Sequence, residues 1–213
     1  FLGGSVSNFQ KGFASISVPS VLATLVSDKL NFPNLSMVGV DDRAASYQAV
    51  SYLIQQGHSK IAVLGGPVTS YPSMMRREGA QQAMRDAGIQ FNDNLYGLSN
   101  YDFESAYHAM NSLLARRAEF TALFAMSDVI AFGAIRALVS AGFRVPEDVS
   151  VIGFDGITMS RYCVPVMTTI VQPSEQIALQ SIELLVRQIE HGAPAQTVTL
   201  QPELQRGESV RAI

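Results

Sequence analysis

Short apolar runs alternate along the chain with longer segments in which apolar residues recur every three or four positions. The short runs are typical of buried strands, and the longer segments are typical of helices that pack one face on a core. The segment 44–56 is an example, because Ala45, Ala49 and Leu53 keep helical spacing and Gly57 follows as a left-handed C-terminal cap. The pattern therefore predicts a regular alternation of strands and helices.

The predicted elements cover most of the chain, and a loop leads to the first of them. The predicted strands are 18–24, 36–40, 60–65, 121–126, 150–154 and 168–171, with an extended segment at 197–204. The predicted helices are 44–56, 72–87, 102–116, 128–141 and 174–190. Strands that are separated by helices form right-handed βαβ units, so we expect an α/β protein with mostly parallel sheets.

The composition is that of a folded protein. The chain has 213 residues, of which 47% are hydrophobic and 15% charged, and this argues against disorder. The formal net charge is −3 and no run of Lys and Arg is present, so these residues are expected to bind nucleic acid poorly. The single cysteine, Cys163, excludes an internal disulfide, and no apolar run approaches the length of a membrane span.

The first residues, Phe1-Leu2-Gly3-Gly4, are interpreted as the end of a buried strand that runs into a loop. No strand start or helix cap stands before them. We therefore expect that further sequence precedes them. No basic segment followed by an apolar core is present, so no signal peptide is predicted.

Residues 142–155 carry the clearest functional signal, with the sequence Gly-Phe-Arg-Val-Pro-Glu-Asp-Val-Ser-Val-Ile-Gly-Phe-Asp. The pattern predicts a helix end, a proline-marked turn and a buried strand that ends in a carboxylate, Asp155. Open α/β sheets bind ligands at the carboxyl ends of their strands. Asp155 is therefore a predicted ligand-binding residue.

Several further motifs follow one another in a fixed order. They are Val40-Asp41-Asp42, Ile61-Ala62-Val63-Leu64-Gly65-Gly66, Arg76-Arg77-Glu78-Gly79, Ala125-Met126-Ser127-Asp128, Thr168-Thr169-Ile170-Val171-Gln172 and Leu204-Gln205-Arg206-Gly207-Glu208-Ser209. Together with 142–155, these motifs resemble the effector-binding domain of the lactose-repressor/galactose-repressor (LacI/GalR) family of bacterial transcription regulators.

The resemblance implies a two-lobe, periplasmic-binding-protein-like fold of parallel doubly wound sheets, in which the first lobe is incomplete. Residues 1–58 and 172–192 are then expected in the N-terminal lobe, and 59–171 and 193–213 in the C-terminal lobe. The resemblance also implies a ligand cleft between the lobes. The family's helix-turn-helix DNA-binding domain would lie upstream of these residues.

Arg76 is the strongest further candidate for a ligand residue. It is expected one turn into the helix at 72–87, after a loop that leaves the carboxyl end of a strand. A guanidinium there can form two parallel hydrogen bonds to sugar hydroxyls or to a carboxylate. The alternative for Arg76 is pairing with Glu78 or solvent, and the alternative for Asp155 is capping of the following turn.

Four other residues are weaker candidates. Ser127 stands where the family often carries Asn, which changes the available donors and acceptors, and Asp128 beside it is expected to be the cap or first-turn acid of its helix. Gln172 is expected at a crossover, where it either contacts ligand or satisfies hinge backbone. Phe154 and Tyr71 would offer an apolar face to a sugar ring, with a core position as the alternative.

No catalytic site is predicted, because no acid–base pair, nucleophile elbow, phosphate loop or metal-ligand spacing stands out. Neither enzyme activity nor a cofactor is expected. The resemblance predicts the effector-sensing domain of a transcription regulator, in which ligand binding in the cleft modulates operator binding. A periplasmic sugar-binding protein is the alternative, and an enzyme on a doubly wound fold is a third hypothesis.

Arg76 and Asp155 together favour a polar, hydroxylated effector. A sugar, a sugar acid or a sugar phosphate matches this chemistry, and a purine is the alternative. Operator DNA would be bound through the N-terminal domain by a homodimer, since such domains read near-palindromic sites. No membrane association is expected, and the expected compartment is the bacterial cytoplasm.

Overall fold

The computed structural model describes residues 1–2 and 6–213. Their backbone forms two compact units, each with its own sheet. The smaller unit contains Phe1–Asp41, Thr69–Pro72 and Gln172–Pro202, and the larger unit contains Asp42–Val68, Ser73–Val171 and Glu203–Ile213. The lobe boundaries that the sequence suggests stay a prediction.

The described residues form six α-helices and nine strands, which confirms the α/β class. The helices are α1 (Val6–Phe13), α2 (Asp42–Gln55), α3 (Tyr71–Asp86), α4 (Phe103–Ala115), α5 (Asp128–Ser140) and α6 (Ser174–His191). The strands are β1 (Ser20–Ala23), β2 (Leu35–Val40), β3 (Ile61–Gly65), β4 (Tyr96–Leu98), β5 (Ala122–Ala125), β6 (Ser150–Asp155), β7 (Thr168–Val171), β8 (Thr197–Leu200) and β9 (Glu203–Gln205).

Three local features differ from the sequence-based prediction. Helix α1 occupies residues for which the sequence predicts a loop, because its 8 residues are too few for apolar periodicity to stand out. Strand β4 has only 3 residues and lies at a sheet edge, so it also escapes prediction. The extended segment 197–204 forms two strands that belong to different sheets. The predicted loop at Gly3-Gly4 lies outside the described residues.

The smaller unit is a three-stranded parallel sheet in the order β1-β2-β8. Helix α6 buries Ile177 and Leu184 against Val21 and Val38 of this sheet. The helix ends at Gly192, whose φ of 59° is the left-handed conformation of a C-terminal cap.

The larger unit is a six-stranded sheet in the order β4-β3-β5-β6-β7-β9. All neighbouring strands are parallel except β9, which pairs with β7 in the antiparallel sense. From β3 the chain passes through α3 to β4 at one edge and then returns past β3 to β5. The adjacent strands β3 and β5 therefore mark a topological switch point.

The central strands of the larger sheet are buried along almost their full length. Every residue of β3 and β5 is buried, and in β6 only Asp155 is partly exposed. Parallel strands that are covered on both faces have continuous apolar sequences, which is why they were predictable as short apolar runs. Asp155 is the polar end of such a run.

Candidate functional site

Arg76 and Asp155 meet at the carboxyl edge of the six-stranded sheet. Arg76 lies in α3, which follows β3, and Asp155 is the last residue of β6. Met126 and Ser127 follow β5, which lies between those two strands. Ligands of open α/β sheets bind outside the carboxyl ends of strands at a switch point, and these residues surround that position.

Arg76 is buried, with 6% of its surface exposed, and its guanidinium contacts three different residues. Its Nε donates to Asp42 Oδ1 at 2.7 Å, and its Nη1 donates to the carbonyl oxygen of Met126. Nη1 also lies 3.6 Å from Asp155 Oδ1. Within residues 1–2 and 6–213, Nη2 has no hydrogen-bond partner. The guanidinium is therefore fixed in place with one of its nitrogens still able to donate.

The predicted alternative for Arg76, an ion pair with Glu78, does not occur in the structure. Glu78 pairs with Arg43, and both side chains are largely exposed. The neighbouring Arg77 stacks on Tyr96 and pairs with Asp93 at 3.0 Å. The two arginines thus separate into a buried one at the sheet edge and a partly exposed one.

The guanidinium of Arg76 stacks on the ring of Phe154. The Phe154 side chain is fully buried, and Arg76 Cζ lies 3.6 Å from the centroid of its ring. A cation over an aromatic face is attracted by the ring quadrupole, most strongly away from water. In this arrangement Phe154 orients the guanidinium and does not offer that ring face to a ligand, and a direct ligand contact by Phe154 stays a prediction.

The charges around Arg76 are not balanced. Burial lowers the pKa of its guanidinium, but the negative charges of Asp42 and Asp155 outweigh burial and raise the pKa above its ordinary value. The cation is therefore permanent. Two carboxylates face this one guanidinium, which leaves the cluster with an excess of negative charge.

Asp155 stands in an unusual backbone conformation. Its φ is 110°, and that of Gly156 after it is 71°. A residue with a Cβ rarely adopts positive φ, and such strain is concentrated at functional sites. Ile157 has the N-cap position of the short 3₁₀ helix that follows, so the alternative of Asp155 as its cap does not apply. The side chain of Asp155 is 28% exposed, which leaves it accessible.

Ser127 and Asp128 begin α5. Ser127 is the N-cap, with its Oγ accepting from Ile130 N at 3.1 Å, and it is 3% exposed. Asp128 is in the first turn, as predicted, but it is fully buried and accepts from Thr169 Oγ1 at 2.6 Å and from Ile157 N at 2.8 Å. A ligand contact by Ser127 remains a prediction, although its hydroxyl already serves the helix.

Tyr71 and Gln172 belong to the smaller unit. The hydroxyl of Tyr71 donates to Asp28 Oδ1 at 3.3 Å, and Lys29 Nζ lies 5.8 Å from its ring centroid. Gln172 directly follows β7, and its carbonyl oxygen accepts from Ser174 N at 2.8 Å. Ligand roles for both residues stay predictions.

Three residues near Arg76 were not singled out from the sequence. Asp42 follows β2, so the rule that made Asp155 a candidate could have identified it. Ser73 and Tyr101 lie 2.6 Å apart between their hydroxyl oxygens. A Cβ at Gly66 would come within 2.1 Å of the Tyr101 ring, so the loop after β3 packs tightly against this tyrosine. Nothing in the sequence near Tyr101 indicates this contact.

Within the part of the chain that the structure describes, no cluster of His, Cys, Asp and Glu could hold a metal ion. None of the helices in the described part of the chain has the length and apolar character of a membrane span.

The model of the periplasmic binding protein-like domain family matches residues 50–210. A curated relative is the HTH-type transcriptional regulator MalR of Clostridium butyricum, which is 36% identical over 210 residues, covering 98% of this chain and 63% of the relative. The chain spans about half to two thirds of the length of the curated relatives that it matches.

Two solved structures of similar shape are also transcriptional regulators by name. The transcriptional regulator CelR in complex with cellobiose is 29% identical with a TM-score of 0.89, covering 98% of this chain and 64% of that one. A sugar-binding transcriptional regulator of the LacI family from Escherichia coli, in complex with phosphate, is 32% identical with a TM-score of 0.84, covering 98% of this chain and 74% of that one.

Proposed function

The chain belongs to the periplasmic binding protein-like domain family, in the form found in LacI-type transcriptional regulators, and we propose that it senses a neutral, sugar-like effector at the carboxyl edge of its six-stranded sheet. The observation that carries this proposal is the pairing of Arg76 Nη1 with Asp155 Oδ1 at 3.6 Å beside the switch point. A sugar hydroxyl both donates and accepts, so adjacent hydroxyls can bridge a guanidinium and a carboxylate.

The local charge supports a neutral ligand over a sugar acid or a sugar phosphate. Arg76 is already neutralised by Asp42, and Asp155 adds a further, partly exposed negative charge. An anionic ligand at this edge would meet Asp155 before it met an unpaired cation. A hydroxylated neutral ligand encounters only donors and acceptors.

The proposed mechanism is a shift between two conformations of the regulator. An effector changes such an equilibrium only if it binds one conformation more tightly, and coupling energies of about 1–3 kcal/mol are typical. In the proposed regulator, a homodimer in the bacterial cytoplasm binds operator DNA through helix-turn-helix domains outside these 213 residues. A periplasmic sugar-binding protein is not favoured, because the matched relatives are named as regulators.

A ligand screen tests the proposal. A ligand that binds only the native state raises the melting temperature. We would compare neutral mono- and disaccharides, including cellobiose, with matched anionic sugars such as gluconate and glucose 6-phosphate, and with adenine. The proposal expects a thermal shift with a neutral sugar, confirmed by calorimetry. A shift with only the anionic sugars or only adenine would contradict the proposed effector class.

Variants then tie the binding to the site. Asp155→Asn removes the charge, and Asn tolerates positive φ better than most residues, so the backbone is preserved. We expect it to weaken sugar binding by about tenfold or more, since a charge-assisted hydrogen bond is worth about 1.5–3 kcal/mol. Asp148→Asn is the matched control, because Asp148 pairs with Arg144 on the surface of the same unit. Equal affinities for both variants would exclude Asp155 from the site.

A further inference from the structure

The buried carboxylate of Asp128 contacts the turn 155–157, which begins at Asp155 of the proposed ligand site. Asp128 is fully buried, and its two oxygens are used separately: Oδ2 accepts from the backbone N–H of Ile157 at 2.8 Å, and Oδ1 accepts from Thr169 Oγ1 at 2.6 Å. Asp128 thus connects the first turn of α5 both to β7 and to the turn that follows β6. Burying a carboxylate is costly unless it is hydrogen-bonded, so these two hydrogen bonds are what keeps Asp128 at this buried position.

The turn that Asp128 contacts is the one that needs support. Asp155 and Gly156 both have positive φ, at 110° and 71°. The conformation is disfavoured for a residue with a Cβ, so Asp155 keeps it only if neighbouring groups hold the chain. The N–H of Ile157, two residues after Asp155, is held by Asp128.

The sheet also leaves room for this carboxylate. A Cβ at Gly153 would lie 2.2 Å from Asp128 Oδ1 and 3.3 Å from Thr169 Oγ1. Glycine in a strand interior often marks a place where another group approaches the backbone closely. The oxygens of Asp128 and Thr169 thus occupy the space that a side chain at position 153 would need.

We infer that Asp128 is a positioning residue for the ligand site, which holds the turn 155–157 so that the Asp155 carboxylate faces Arg76. The ligand-binding part of this inference rests on the proposed function, whereas the effect on the turn does not. Asp128 itself is too buried to touch a ligand. It acts through the backbone of Gly156 and Ile157.

The protonation of Asp128 gives the inference a second consequence. Burial and the negative charge of Asp155 raise the pKa of its carboxyl to about 6, against the hydrogen bonds from Thr169 and Ile157. Burial raises the pKa of the nearby Cys163 thiol, and the negative charge of Asp128 adds to that rise. The hydrogen bonds from Thr169 and Ile157 lower the pKa of Asp128, so they favour the carboxylate, and protonation weakens them while Asp128 stays buried. The hold on the turn is therefore expected to loosen as pH falls through about 6.

Amide hydrogen exchange on the whole 213-residue chain tests the effect on the turn without any ligand. Asp128→Ala removes both acceptors, and Asp128→Asn keeps the shape and one acceptor oxygen but cannot titrate. We expect amide exchange at Gly156 and Ile157 to be at least about tenfold faster in Asp128→Ala than in the wild type, and intermediate in Asp128→Asn. Exchange at Ile152, in the middle of β6, should be unchanged. If the alanine variant does not fold, Asp128→Asn and the wild-type pH profile decide.

The pH profile distinguishes positioning from a general contribution to stability. After correction for intrinsic exchange rates, wild-type protection at Gly156 and Ile157 should fall below about pH 6, and that dependence should disappear in Asp128→Asn. Asp148→Asn, which removes a surface acid of the same unit, should behave like wild type. Unchanged protection in Asp128→Asn together with a flat wild-type profile, or uniformly faster exchange along β6, would overturn the inference.

Binding of a sugar completes the test. With cellobiose, or with another neutral sugar that binds the wild type, Asp128→Asn should lower affinity several-fold while Asp148→Asn does not. Unchanged affinity in Asp128→Asn would overturn the link to the ligand site. If no sugar binds the wild-type chain, the proposed function fails, and the exchange experiment still decides whether Asp128 positions the turn.

Discussion

The guanidinium of Arg76 lies over the ring of Phe154, with Arg76 Cζ 3.6 Å from the ring centroid. The two residues come from different elements, α3 and β6. The aromatic ring at the end of β6 and the carboxylate after it therefore act on the same arginine, one through its face and the other through its charge. The site is a cluster in which each contact fixes the orientation of the next.

Replacing Phe154 by leucine should separate the cation–π contact from ordinary core packing. Phe124, on the neighbouring strand, is also fully buried, and among the described residues no cation stacks on it. Both Phe154→Leu and Phe124→Leu should lose packing, but Phe154→Leu should be more destabilising by about 1–2 kcal/mol because a desolvated cation–π contact is also lost. Urea unfolding measures the difference, and equal losses would show that the stacking adds nothing.

Removing Arg76 should affect the fold as well as ligand binding. Asp42 is 6% exposed, and Arg76→Ala leaves its carboxylate buried without the ion pair. Breaking one side of a buried pair costs about 3–5 kcal/mol. Arg77→Ala is the adjacent control and should cost less, about 1–2 kcal/mol, because its ion pair with Asp93 is largely exposed and it otherwise loses only the stacking on Tyr96. If unfolding by urea gives similar values for both variants, Arg76 and Asp42 do not form a consequential pair.

Gly153 should not tolerate a side chain. The Cβ of Gly153→Ala would clash with Asp128 Oδ1, which is held by Thr169, so the variant should lose about 1–3 kcal/mol of stability. Gly12→Ala is the control, since Gly12 lies in α1 with nothing within 4 Å of its added Cβ. That substitution should gain up to about 1 kcal/mol, because alanine is the better helix former. A stable Gly153→Ala protein would mean that the carboxylate can move aside.

The sequence predicted the alternation of elements well because its central strands are buried on both faces. Continuous apolar runs at β3, β5 and β6 are visible without any tertiary information, and so is the carboxylate at the end of β6. The same strand-end argument explains why Arg76 and Asp155 were both candidates. The short edge strand β4 and helix α1 carry too few residues for a period to appear.

The partners of Arg76 could not be predicted in the same way, because they are distant in sequence. Asp42 is 34 positions from Arg76, and Met126, which offers its backbone carbonyl, is 50 positions away. A carbonyl oxygen leaves no trace in the residue type. Phe154 was a candidate for contact with a sugar ring, but only the packing of α3 on β6 reveals that its face is covered by a guanidinium.

Within the larger unit, His58 forms a hydrogen bond with the C-terminal segment. It is 1% exposed, with Nδ1 2.9 Å from Thr121 Oγ1 and Nε2 3.1 Å from the carbonyl oxygen of Arg211. A carbonyl only accepts, so Nε2 carries the proton and Nδ1 accepts from the threonine hydroxyl. Burial lowers the pKa of His58 below 6.5, opposed by the hydrogen bond to Arg211 and reinforced by the positive charge of that residue.

The lowered pKa of His58 predicts that acid destabilises the fold through this residue. Below about pH 6.5 the unfolded chain binds a proton at His58 more readily than the native protein, so the free energy of unfolding falls as pH falls. Asp128 acts in the opposite sense, because its pKa of about 6 lies above its unfolded value of 3.8 and the native state binds the extra proton. The pH dependence of the wild-type unfolding free energy therefore combines both residues. Only the difference between wild type and a His58 variant isolates the contribution of His58.

Urea unfolding of wild type, His58→Gln and His108→Gln from about pH 5 to about pH 8 measures this contribution. His108 is the control, because its side chain is 69% exposed. Wild type and His108→Gln should show the same pH dependence, and His58→Gln should gain stability relative to both on acidification, since glutamine does not bind the proton. If the His58→Gln curve runs parallel to the other two, then His58 titrates alike in the folded and unfolded chains, and its burial has no energetic consequence for pH dependence.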